Sequence, residues 1–182
     1  MDTDARVLRF DSLSKILAPG LRLGWASGPK ILIDRIILHS MTSNLHPSGV
    51  SQALFVSLFR HWGLTPGFDS HVKKLATHYQ SKSEIFIRAC VKHLTGLCEW
   101  NVPTAGMFVW LNILGCDDST SIVMLAIERN VLVVPGVEFM PNQSRSGYVR
   151  CSYSIASEEE IDVSLARFGK LLGEIDLSRG TK

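Results

Sequence analysis

Long apolar runs are missing from this sequence: no stretch approaches the roughly 20 residues needed to cross a bilayer, and no basic segment followed by an apolar run opens the chain. A membrane span and a secretory leader are therefore not expected, and the expected setting is intracellular, cytoplasmic or mitochondrial. Charge of one sign is missing too. Lys and Arg number 19 against 17 Asp and Glu, and a net charge of +2 provides neither a nucleic-acid footprint nor a polybasic membrane patch. Cysteine is scarce, and Cys90, Cys98, Cys116 and Cys151 form no CxxC pair and no Cys/His spacing suited to zinc. No metal site is expected, and the thiols read as reduced. No internal repeat or low-complexity tract interrupts the chain. What remains is a chain with 46% hydrophobic residues, enough for a sizeable core in one large domain or parts of two, whose partners are small molecules or protein.

Periodicity divides the chain near Gly96. Before it, residues 6–10 and 21–27 read as short strands around a Pro19-Gly20 turn, the second ended by Gly28-Pro29. Leu32, Ile33, Ile36 and Ile37 give residues 29–41 a helical stripe, with Pro29 at an allowed first-turn position. Residues 50–62 carry another stripe, Ala53, Leu54, Leu58 and Phe59, with Gly63 as its stop. The longest helical pattern, residues 66–94, places Phe68, Val72, Leu75, Tyr79, Phe86 and Cys90 on one side, as in a helix linking two lobes. After Gly96, residues 98–102, 107–114, 131–134 and 148–153 read as strands and 119–129 as a helix. Ser157 and Glu160 form a capping box opening a last helix striped by Ile161, Leu165, Phe168 and Leu172. The expected organisation is residues 1–65, a linking helix over 66–95, a small α+β lobe over 96–176, and a frayed tail over 177–182. The opening Met1-Asp-Thr-Asp runs through Arg6–Phe10 with no preceding core element, which reads as an entry into the middle of a domain.

Chemistry concentrates in Ser12-Leu-Ser14-Lys15-Ile-Leu-Ala-Pro19-Gly20-Leu-Arg22-Leu-Gly24-Trp25. Two hydroxyls, an amine and a guanidinium lie within eleven residues, and the Pro-Gly turn can fold Arg22 back towards the serines. Such a set can hold a phosphate while Lys15 acts as a nucleophile, provided burial or the neighbouring cation keeps its amine neutral. A bare Ser-x-Ser-Lys reads equally as a solvated turn, because these residues are common and their spacing is permissive. His39, His61, His71, His78 and His93 all fall in helical patterns and read as helix-face residues, not ligands.

The longer pattern, Ser-x-Ser-Lys followed by Pro-Gly-x-Arg-x-Gly-Trp, closely resembles the Schiff-base signature of class I/II aminotransferases that use pyridoxal 5'-phosphate (PLP). His46-Pro47-Ser48, Pro103-Thr-Ala-Gly106-Met107-Phe108-Val-Trp110, Val134-Pro135-Gly136-Val-Glu-Phe139 and Val149-Arg150-Cys-Ser152-Tyr-Ser154 follow in that family's order. The likeness covers almost the whole chain, and it resembles in particular the kynurenine/α-aminoadipate branch and fungal aromatic aminotransferases. It implies an α/β, aspartate aminotransferase-like fold, seen as the last part of the large domain plus a small α+β C-terminal domain.

By the same resemblance, Lys15 is the catalytic Schiff-base lysine, Ser12, Ser14 and Arg22 form the phosphate cup, and Arg150 pairs with the substrate α-carboxylate. The implied substrates are an amino acid and a 2-oxo acid, and the implied full-length assembly is a homodimer. Leu45, His46 and Pro47 match a loop approaching the partner subunit's site, or are an ordinary helix-entry loop. Gly106 and Phe108 read as wall residues near Arg150, Met107 and Trp110 as a buried strand, and Phe139 as a substrate cover or a core aromatic. The family's ring-stacking and ring-nitrogen partners precede the lysine strand and are not in this sequence. Two readings follow: part of a working transaminase, or a catalytically inactive fragment that binds PLP or dimerises. A carbon-sulfur lyase on the same fold ranks lower, and Arg150 argues against decarboxylation.

Overall fold

A computed structural model describes residues 3–175, so the tail expected over 177–182 lies outside the described residues. The chain divides between Leu75 and Ala76 into two compact units. The first holds β1 (Arg9–Ser12), β2 (Gly24–Ser27), α1 (Lys30–Ser43), α2 (Gly49–His61) and the start of α3 (Thr65–Leu94). The second holds the rest of α3, β3 (Cys98–Trp100), β4 (Phe108–Ile113), α4 (Thr120–Glu128), β5 (Val134–Pro135), β6 (Tyr148–Ser152) and α5 (Glu158–Glu174).

In the first unit, β1 and β2 pair antiparallel from Arg9 opposite Ser27 to Ser12 opposite Gly24. The strand expected over 6–10 thus starts later, at Arg9, where the ladder begins opposite Ser27, the residue before the Gly28-Pro29 break. The second strand is shorter than expected because Pro19–Leu21 forms a 3-10 turn and Arg22 is left-handed, with φ 52°. At Gly24 a Cβ would lie 2.5 Å from the Asp11 carbonyl oxygen, so the ladder beside the loop requires glycine there. Pro29 precedes α1 instead of sitting within its first turn, and its carbonyl accepts from the Leu32 and Ile33 amides. The stripe predicted for α1 forms but is not buried: Ile33 and Ile36 are half-covered, while Leu32 and Ile37 are exposed. Packing is instead aromatic, running Phe55–Phe59–Phe68 at centroid spacings of 5.7 and 5.9 Å, with Trp62 stacked on His71 at 4.8 Å.

The second unit is built around an antiparallel sheet ordered β3-β4-β6-β5. Alternation assigns its faces: Val109, Leu111, Ile113, Val149 and Cys151 point into the core, whereas Phe108, Trp110, Tyr148 and Arg150 lie on the opposite face. The helices cover the first face with Phe86, Cys90 and Leu94 from α3, Ile122, Val123 and Ala126 from α4, and Ile161, Leu165, Phe168 and Leu172 from α5. The capping box at α5 is present, with the Ser157 amide donating to Glu160 at 2.7 Å and the Glu160 amide donating to Ser157 Oγ at 3.1 Å. The strand expected over 131–134 is reduced to Val134–Pro135. Asn130 is left-handed and the Val131 amide closes α4 on the Ala126 carbonyl, so that stretch completes a helix end before it can join the ladder. The expected strand over 98–102 likewise stops at Trp100, where pairing with Leu111 ends.

Candidate functional site

The loop between β1 and β2 carries four of the sequence-predicted residues. Its base is closed by the Leu13 amide donating to the Leu23 carbonyl at 3.0 Å, and both leucines are buried. Above that bond, Ile16 and Leu17 turn back on the Leu13 carbonyl at 3.2 and 2.8 Å, making a single helical turn that holds Lys15 at an exposed position. The Ser14 amide donates to Ser12 Oγ at 3.1 Å, so the Ser12 hydroxyl proton is directed elsewhere as a donor. Arg22 returns on the far side of the 3-10 turn, with one guanidinium N–H 3.4 Å from the Pro19 carbonyl and the others not spent on that contact. The loop therefore carries hydroxyl donors, a cation and an amine on one short stretch of chain. That chemistry fits a phosphorylated aldehyde such as PLP, with Ser12, Ser14 and Arg22 for the phosphate and Lys15 for the carbonyl carbon.

One residue here was missed by periodicity. His71, on the face of α3, has Nε2 2.8 Å from the Ile16 carbonyl, next in chain to Lys15. A carbonyl only accepts, so Nε2 carries the proton, and the ring is backed by Trp62. Nothing in the spacing of a lone helical histidine signals this; only the fold brings residue 71 to residue 16.

In the second unit, Arg150 lies on the open face of the sheet between two rings, with Cζ 4.2 Å from the Phe108 centroid and 4.6 Å from that of Phe139. Trp110 stands directly across the ladder from Arg150 and meets Phe139 edge-on at 4.9 Å and Tyr148 at 6.2 Å. Trp110 and Phe139 are thus surface aromatics around an arginine, not core residues. Both rings thus flank the guanidinium, whose planar fork is the group that offers two parallel N–H bonds to a carboxylate. Phe139 arrives on a 3-10 turn, Gly136–Phe139. Gly106, left-handed at φ 86°, is held by Tyr153, whose hydroxyl donates to its carbonyl at 2.9 Å; burial pushes the Tyr153 phenol pKa up. Two open clefts of this unit, of about 850 and 760 Å3, include neither Arg150 nor Phe139 among their lining residues.

Leu45, His46 and Pro47 form a separate, exposed loop between α1 and α2. Local bonds hold it: Leu45 to the Ser40 carbonyl at 2.7 Å, and both His46 Nδ1 and Gln52 Nε2 to the Pro47 carbonyl, at 2.7 and 3.0 Å. Leu45 has φ 61°, a strained conformation for a large side chain. Among the described residues no cluster of His, Cys, Asp and Glu is able to hold a metal, and no helix is long and apolar enough to cross a membrane.

Comparison with known proteins agrees with these features. The family pattern for aminotransferase class I and II matches residues 1–168. The mitochondrial kynurenine/alpha-aminoadipate aminotransferase of Rattus norvegicus is 40% identical over 177 residues, 96% of this chain and 41% of the relative. Aminotransferase tdiD of Emericella nidulans is 39% identical over 170 residues, covering 92% and 39% respectively. The structure of LysN, an alpha-aminoadipate aminotransferase from Thermus thermophilus complexed with N-(5'-phosphopyridoxyl)-L-leucine, superposes with a TM-score of 0.84 at 26% identity, over 92% of this chain and 42% of that one. The chain spans about two fifths of the length of the curated relatives it matches. Its fold is the mixed α/β fold of PLP-dependent, aspartate aminotransferase-like enzymes. On the match over residues 1–168, the chain belongs to the class I and II aminotransferases.

Proposed function

We propose that this chain is the lysine-bearing and carboxylate-receiving portion of a PLP-dependent aminotransferase that moves an amino group from an aromatic or aminoadipate-like amino acid, such as kynurenine or 2-aminoadipate, to a 2-oxo acid such as 2-oxoglutarate. The observation that carries this reading is the Leu13–Leu23 loop, which groups Ser12, Ser14, Lys15 and Arg22 around one turn. Bound there, PLP supplies an aldehyde for amine exchange and a ring that draws electrons from the substrate's Cα–H bond. Ser12, Ser14 and Arg22 hold the phosphate by charge-assisted hydrogen bonds. Lys15 would hold the aldehyde end of the cofactor, and its neutral amine would take up and return the proton at substrate Cα as a base. Arg150 takes the α-carboxylate with its planar fork, with Phe108 and Phe139 beside the substrate side chain. The choice of aromatic or aminoadipate-like donors is supported by the names of the relatives and by the rings around Arg150.

In the full-length protein two copies pair, and the exposed Leu45–Pro47 loop reaches the partner's site; the left-handed Leu45 supports a functional loop there. A second reading, cofactor binding without turnover, is favoured by the thin core beneath Lys15, where only Leu13 and Leu23 of the first unit are buried among its described hydrophobic residues. The test is to incubate the chain with PLP, 2-oxoglutarate and either L-kynurenine or L-2-aminoadipate and measure glutamate. Glutamate formed by wild type and lost in Lys15→Ala supports transamination. Equal glutamate from both proteins overturns the role of Lys15, and cofactor capture without glutamate selects the second reading.

A further inference from the structure

Ser119 is one of three buried polar residues among the described residues, at 1% exposure, and it does not do what its position suggests. It occupies the N-cap of α4, yet its backbone is helical and its hydroxyl makes no cap bond. Asp118 does that work instead, accepting from the Thr120 amide at 3.0 Å and the Thr120 hydroxyl at 2.7 Å. The freed Ser119 hydroxyl donates to the Tyr148 carbonyl at 2.7 Å and accepts from the Gly136 amide at 3.4 Å. Its own amide donates to the Ser146 carbonyl at 2.9 Å, and Ser146 Oγ accepts from the Tyr148 amide at 3.3 Å. One side chain therefore joins the start of α4, the turn that ends in Phe139, and the strand that carries Arg150 two residues beyond Tyr148.

The joint leaves no slack. A Cβ on Gly136 would lie 2.4 Å from Ser146 Oγ and 2.8 Å from the Tyr148 carbonyl oxygen, so only glycine lets the turn approach β6 this closely. From there the path to the arginine is short: Gly136 opens the turn, Phe139 ends it, and the Phe139 ring lies 4.6 Å from Arg150 Cζ while Trp110 braces its edge. We infer that Ser119 is a positioning residue: by fixing the Gly136–Phe139 turn against β6, it sets Phe139 over Arg150 and so fixes how the guanidinium is held to receive a carboxylate. This rests on the reading of Arg150 as the carboxylate receiver given above.

The experiment is NMR of the full chain, following the Arg150 Nε–H resonance and the Gly136 amide in wild type, Ser119→Ala, Phe139→Leu and Arg150→Lys, each titrated with glutarate as the carboxylate probe. In wild type the Arg150 Nε–H is shifted by the flanking rings and moves with glutarate. Ser119→Ala is expected to shift Arg150 Nε–H towards the position it takes in Phe139→Leu, speed exchange of the Gly136 amide, and weaken glutarate roughly fivefold, the effect of about one neutral hydrogen bond. Amide protection at Leu111 and Val149 is expected to stay unchanged, which separates positioning from general loosening of the core. An Arg150 resonance and glutarate affinity unchanged in Ser119→Ala overturn the inference even if Arg150→Lys abolishes binding. Glutarate binding unaffected in Arg150→Lys instead overturns the carboxylate reading on which it rests. If Ser119→Ala fails to fold, Ser119→Cys, with a weaker donor of similar size, is expected to give the same shifts at smaller amplitude, and wild-type values there overturn the inference.

Discussion

The two units of this chain solve opposite problems. The second, from Ala76 onward, packs α3, α4 and α5 on one face of a four-stranded sheet and buries Phe168, Leu94, Leu111 and Cys90 completely. The first carries Lys15 but buries only Leu13 and Leu23 of its described hydrophobic residues, and none of the residues of α1 or α2. Ile31, Met41, Leu45, Val50 and Leu54 instead stay in solvent. Apolar stripes occur in both units, though they are weaker in α1 and α2 than in α5, and a stripe shows which face a helix can bury, not whether the chain provides something to bury it against. The surroundings follow the same division: Arg150 sits on a packed sheet, whereas the loop that carries Lys15 is closed by the Leu13–Leu23 bond and touched by His71 at Ile16.

Four measurements can break or sharpen this contrast. The largest effect is expected from Phe168→Ala, which empties the core of the second unit and should cost about 3–5 kcal/mol in denaturant unfolding, while Leu54→Ala on α2 should stay within about 0.5 kcal/mol. Similar losses for the two would remove the contrast.

The next effect is alkaline. Burial pushes the Cys90 and Cys98 thiols up to about 12 from an ordinary 9.0, and raises Cys151 in the same direction. The folded state then keeps protons that the unfolded chain releases, so this stability is fully present below pH 9 and is lost as pH rises from 9 towards 12. Denaturant midpoints of the second unit should fall over that window, by at most about 1.4 kcal/mol per pH unit for each thiol, and less steeply in Cys98→Ala. A flat profile between pH 9 and 11 would contradict the burial of these thiols.

Smaller again is capping. Ser157→Ala removes the hydroxyl half of the capping box at α5, leaving the Ser157 amide bond to Glu160, and should cost about 1 kcal/mol, whereas Ser48→Ala at α2, where the cap bond is 3.4 Å, should cost less than half as much. Equal losses would mean that the first unit depends on its helices as strongly as the second. Last, His71→Ala should leave unfolding of the second unit unchanged within about 0.5 kcal/mol yet slow cofactor capture at Lys15, because it frees the Ile16 carbonyl. An unchanged capture rate would show that the Leu13–Leu23 bond alone holds the turn.

How much of this was legible in the sequence depends on the range of the interaction. Local signals carried through: the Ser157–Glu160 capping box, the Ile161–Leu172 stripe of α5 and the Gly63 stop after α2 appear as read. Ser12, Ser14, Lys15 and Arg22 share one short loop between β1 and β2, a placement their nearness along the chain made legible. Strand ends were less so, since a strand exists only where a partner offers a ladder; residues 131–133 have the right composition, but the Val131 amide closes the end of α4 on the Ala126 carbonyl. Contacts of long sequence separation were hidden altogether. His71 looks like any helical histidine until Ile16 is placed beside it, and Ser119 looks like a helix cap until Tyr148 and Gly136 arrive. The outward position of Trp110 was missed for a related reason, since an aromatic strand residue reads as core unless the arginine across the ladder is known.

The central claim is that the Leu13–Leu23 loop is a cofactor site with Lys15 as its amine. It is tested most directly by mixing the chain with PLP, reducing with borohydride and mapping phosphopyridoxyl adducts by peptide mass spectrometry. The account predicts one adduct per chain, on Lys15, diminished in Arg22→Ala and by excess inorganic phosphate. Labelling scattered over Lys30, Lys73 and Lys74, or absent from Lys15, would contradict it.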